Sequence, residues 1–195
     1  MAMNRRRNTP KGSSQQRALI SMARGYAWHL MRNAGTVRPA FLADTPEGTV
    51  LYLPETMGDE RAKQNFANTA RLIAVAYRAT AVAFAMESWV TFAKPGRAVD
   101  STPPSQSPDR EECVILSVET EHRQSTELLM IQRDRSGRFA GFASPDIPKV
   151  TEFQGRFAQV MPPKPPGEKD ALMARQLLRM MGVDPENRGF NPSWN

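Results

Sequence analysis

The chain has 195 residues, 40% of them hydrophobic and 24% charged, with a formal net charge of +6. That is enough chain for one domain with its own core, and the apolar run Ala79–Met86 falls far short of the ~20 residues a membrane span needs. Cys113 is the single cysteine, which excludes an intramolecular disulfide and fits a reducing, cytoplasmic setting.

The charge is uneven along the chain. Residues 1–40 contain Arg5, Arg6, Arg7, Lys11, Arg17, Arg24, Arg32 and Arg38 and no acid, a sum of +8, so the rest of the chain carries −2 (6 minus 8). No apolar stretch or cleavage site follows the basic N-terminus, so no secretory leader is expected. Residues 1–12 read as a disordered basic arm, able to contact nucleic acid or an acidic protein surface through Arg5, Arg6, Arg7, Lys11 and Arg17.

Residues 13–160 are expected to form a single α+β domain. Ser13 and Ser14 are candidate N-caps for a helix from Gln15 to Asn33. Its apolar stripe is Leu19, Ile20, Met22, Ala23, Tyr26, Ala27, Leu30 and Met31, with Arg17, Arg24 and Arg32 off it, and Asn33-Ala34-Gly35 is the predicted stop. A linker with Pro39 and Pro46 leads to a strand at Thr49–Leu53. A second helix spans 58–79, with Asp59 and Glu60 in its first turn, as the helix dipole favours.

Thr80–Ala93 is the longest stretch with strand-like alternation. Val82, Phe84, Met86, Val90 and Phe92 fall on one face, and Ala81, Ala83, Ala85, Glu87, Trp89 and Thr91 on the other. The small residues predict a helix packed closely over the alanines. A proline-rich loop, 94–110, is followed by strands at 112–119, 127–133 and 138–143, an antiparallel meander. The expected architecture is an antiparallel sheet of four to five strands with two long helices packed on it. A further short strand is expected at Phe153–Val160. Residues 161–167 form a proline-rich spacer, and 168–195 a C-terminal amphipathic helix, stopped by Gly182, and a tail with Phe190 and Trp194. Residues 168–195 are the expected site of a protein partner or of self-association.

The familiar catalytic loops are missing: there is no phosphate-binding lysine loop, no dinucleotide glycine fingerprint and no G-x-S-x-G elbow. His29 and His122 have no metal-ligand spacing around them, and neither a metal site nor a cofactor is expected. Cys113, beside Val114, Ile115 and Leu116, reads as a buried strand position rather than a nucleophile. The candidate chemistry is carboxylate chemistry. Glu87, Asp109, Glu111, Glu112 and Glu119 lie on or beside the central strands, where paired acids can hold a divalent cation for a hydrolase or nuclease. Pro108-Asp109 followed by strand acids resembles the PD-(D/E)xK nucleases, but Glu119-Thr120-Glu121 supplies no lysine where that family has one. A lone acid in an apolar strand must be paired or hydrogen-bonded. Glu87 is therefore expected in a structural ion pair, with Arg110 or with a helix arginine such as Arg24 or Arg71.

Glu87-Ser88-Trp89, together with Pro104-Ser105, Pro108 and Arg110-Glu111-Glu112, resembles a group of short uncharacterised bacterial and phage proteins. They share an E-x-W strand followed by a P-S-x-x-P-x-R-x-E loop, and the likeness covers residues 58–135. It implies a bacterial or phage origin, and with it a cytoplasmic or virion-associated protein, but no activity. The leading expectation is a non-enzymatic accessory or assembly protein. The alternatives are a metal-dependent hydrolase and a structural protein docking through its C-terminal helix and tail.

Overall fold

The alternating stretch becomes a ten-residue strand in the interior of the sheet. The computed structural model describes residues 12–92, 102–145 and 156–185. These form α1 (Gly12–Ala34), β1 (Ala40–Thr45), β2 (Gly48–Tyr52), α2 (Glu60–Ala76), β3 (Ala81–Val90), β4 (Glu111–Thr120), β5 (Arg123–Arg133), β6 (Phe139–Ala143) and α3 (Glu168–Met180), with a short 3-10 turn at Pro104–Gln106. The fold is α+β. Its sheet has six strands in the order β2-β1-β3-β4-β5-β6, every neighbouring pair antiparallel.

Six strands replace the expected four to five, and the expected C-terminal helix joins the two long helices on the sheet. The extra strand is β1, which the flanking prolines had suggested was linker. Phe41, Leu42 and Ala43 are wholly buried, since β1 lies between β2 and β3 with a helix layer over each face. A strand buried on both faces shows no alternation to reveal it. The C-terminal helix is α3, as expected, and its Ala174 and Leu178 enter the same core as α2. Residues 156–160 form turns and bends rather than the expected strand, and 153–155 lie outside the described residues.

The pleat of β3 sorts the two cores as its sequence foretold. Ala81, Ala83 and Ala85 lie in one core with Leu19, Ala23, Tyr26, Ala27 and Met31 of α1. Val82, Phe84 and Met86 lie in the other with Phe66, Ala70 and Ile73 of α2. Small residues on both α1 and β3 allow the close approach; the other side is filled by rings. Phe84 meets Phe41, Phe66 and Phe157 at centroid distances of 5.1, 5.6 and 5.4 Å.

Local signals hold the ends of the helices. α1 begins before its predicted serine caps and places Ser13 and Ser14 inside its first turn. It stops where Gly35, at a φ of 72°, returns its N–H to the Met31 carbonyl at 3.1 Å. Asp59 caps α2, accepting from the Ala62 N–H at 2.7 Å. α3 ends at Gly182, with a φ of 70°. No helix among the described residues is long and apolar enough to cross a membrane.

Candidate functional site

The candidate carboxylates do not converge. Glu87 and Glu112 share the α1 face of adjacent strands, since Glu87 pairs with Val114 and Glu112 with Trp89. Glu119 is on the opposite face, roughly 23 Å further along β4 at ~3.3 Å per residue. Among the described residues no group of three or more His, Cys, Asp or Glu side chains could hold a metal ion.

Each acid is engaged in structure where its partners are visible. Glu87 Oε2 accepts from the Thr36 hydroxyl at 2.9 Å and from the Val37 N–H at 2.8 Å, tying the α1–β1 connection to β3. Among the described residues, these two bonds stand where the ion pair was expected. Arg110 stands over the Trp89 ring at 4.7 Å and donates to the Ser105 carbonyl at 2.8 Å. Arg24 pairs with Glu127, and Arg71 donates to the carbonyls of Arg156 and Ala158. Loop amides and hydroxyls leave no pattern in a sequence, so arginines were the only partners to be found there. Glu112 pairs with Arg133 at 2.8 Å, and Asp109 and Glu111 are exposed at the entry to β4.

Glu119 is the counterpart of Glu87 on the other face, and like it is half-buried. Its two oxygens accept from the Val160 N–H at 2.9 Å and the Met161 N–H at 3.1 Å, across 41 and 42 residues of sequence. Successive amides aimed at one anion form a nest, and Gln159 enters it in the left-handed region, at a φ of 54°. Burial pushes the Glu119 carboxyl above its ordinary range, opposed by these amides and the Arg71 charge. Cys113 is fully buried, and its thiol is pushed up to about 12 by burial, with Glu111 and Glu87 adding to the rise. A thiol held protonated there is no nucleophile.

The basic residues of α1 share a surface. Arg17, Arg24, Trp28 and Arg32 follow at spacings of seven, four and four, which places them within about 80° of the helix circumference. All three arginines are exposed, and Trp28 is 43% exposed. Trp28 was missed as a site residue, although its place four residues from both Arg24 and Arg32 is legible in the sequence. Its ring is held edge-on by Phe139 at 5.4 Å and Phe142 at 5.9 Å, so it stands on a rigid base at the edge strand β6. Arg5, Arg6, Arg7 and Lys11 lie outside the described residues.

A second surface is apolar. α3 buries Ala171, Ala174 and Leu178 and exposes Leu172, Met173, Leu177 and Met180, with Met181 just beyond. Met181 also rims a half-open cleft of about 540 Å³ between α2 and the 52–56 segment, whose polar wall includes Glu55, Arg61, Asn65 and Thr69. No protein-family model, curated protein or solved structure matches the chain.

Proposed function

We propose that the protein is a non-enzymatic accessory protein that contacts nucleic acid through the outer face of α1 and the basic segment before it. The observation supporting this reading is the line of Arg17, Arg24 and Arg32 with the half-exposed Trp28 among them. Arginines meeting phosphates release counterions, so affinity falls with salt whatever the base sequence. An exposed, braced indole adds a surface for an unpaired base, a contact worth about 1–3 kcal/mol. Single strands are therefore favoured over duplex. A bacterial or phage origin, implied by the E-x-W strand and its loop, belongs to the same proposal.

The test titrates the full chain against labelled single-stranded and duplex oligonucleotides at ~50 and ~200 mM salt. Arg17→Ala with Arg32→Ala is expected to weaken both forms alike and to reduce the salt slope by about 1–2. Trp28→Ala, with its fold checked by circular dichroism, is expected to weaken single-strand binding about tenfold or more and to spare duplex binding. Binding that ignores both salt and these substitutions ends the proposal.

A further inference from the structure

The outer face of α3 is built differently from that of α1, and its partner can be read from its charges. Lys169, Leu172, Met173, Gln176, Leu177 and Met180 fall on the side opposite the buried Ala171, Ala174 and Leu178. The large apolar members are between 43 and 83% exposed. Three turns of exposed Leu and Met exceed the scattered apolar residues of an ordinary surface, and such a patch marks an interaction site. Glu168 and Arg179 flank this stripe. They stand eleven residues apart, close to three full turns, and so lie on the same side of it at opposite ends.

We infer that α3 pairs with α3 of a second copy of this chain, antiparallel across a two-fold axis. Such an axis returns each flank of the helix to itself with its ends exchanged, an isologous contact. Glu168 of one copy then faces Arg179 of the other, twice. With the axis level with the middle of α3, Met173 and Gln176 lie beside the axis, Leu177 packs against Met173 of the second copy, and Leu172 lies on the Glu168–Arg179 flank. Met180 covers the stem of Lys169, whose ammonium remains in water. A parallel pair would instead bring this flank against the opposite flank of the second copy, with Glu168 beside Asp170 and Arg179 beside Leu177 and Met181, and no opposite charge would face either. The charges thus select both the partner and its direction. The interface is small, so the association is weak, with a Kd on the order of 10 µM.

The experiment is sedimentation equilibrium of the full chain, from roughly 1 to 200 µM, a range that brackets such a Kd. The mass is expected to rise from one chain toward two. Met173→Glu, which would place a carboxylate beside the axis, is expected to weaken pairing roughly a hundredfold. Glu168→Arg alone and Arg179→Glu alone each set like charges opposite one another and are expected to weaken self-pairing about tenfold. Mixing these two variants restores both opposite-charge pairs, so the mixture is expected to form a heterodimer close to wild-type strength. Both substitutions lie on the surface, and circular dichroism confirms that each variant is folded. One-chain mass throughout the range overturns the inference. So does a dimer that Glu168→Arg alone leaves unweakened, as a parallel pair with position 168 beside Asp170 would, or one whose two single variants do not recover on mixing, as a contact elsewhere or a different occupant of the stripe would.

Discussion

The two sides of the sheet solve one packing problem with opposite materials. On the α1 side, Ala81, Ala83 and Ala85 meet Ala23 and Ala27, and the backbones come close. On the α2–α3 side, Phe41, Phe66, Phe84 and Phe157 fill a wider gap with rings. The outer surfaces differ in the same way. α1 turns arginines and an indole to solvent, whereas α3 turns out leucine and methionine. The α1 surface is cationic and the α3 surface apolar, and the sheet keeps the two apart.

Neighbouring residues of one strand break this comparison most directly. Phe84→Ala removes the ring shared by three others and leaves a cavity, an expected loss of about 3–5 kcal/mol. Ala83→Leu inserts bulk where α1 lies closest, an expected loss of about 1–3 kcal/mol. Urea unfolding midpoints of the two variants measure both. If Ala83→Leu proved neutral, the close approach of α1 would be wrong, while the aromatic side would stand.

The alternation of β3 makes this asymmetry legible in the sequence, because bulky and small residues strictly take turns from Ala81 to Met86. α2 was legible from its period, and Gly35 and Gly182 marked their helix ends. β1 was hidden by the same physics that buries it, for a strand covered on both faces has no polar side to show. Tertiary contacts also hid the roles of the acids. Nothing near Glu87 in sequence points to Thr36 and Val37, about fifty residues earlier, and nothing near Glu119 points to the amides of Val160 and Met161. Trp28 was in plain view, but read by hydrophobicity alone it is simply one more aromatic in a helix.

Glu87 and Glu119 extend the comparison to the polar groups that lock each side. Glu87 accepts both of its bonds at Oε2, so Glu87→Gln can present its single carbonyl oxygen to both donors. It then loses only the charge-assisted part of two hydrogen bonds, expected to total about 1 kcal/mol or less. Glu119 uses both oxygens, so Glu119→Gln must turn its NH₂ toward one of the two amides and leave that N–H without an acceptor. An orphaned donor costs about 1–3 kcal/mol. Only this second difference is expected to vary with pH through Glu119 itself. Burial raises its folded pKa above the ordinary value of 4.5, so folding favours the protonated form. The stability linked to this group is complete below that ordinary value and is lost as pH rises through the raised one. The glutamine variant has no such titration. The margin of wild type over Glu119→Gln, read from thermal midpoints across the pH series, should therefore be widest in acid and narrow as pH rises. A margin that widens with pH would mean that the amide nest outweighs burial, and that the α2–α3 side is locked by a charge instead of a carboxyl held in spite of its charge.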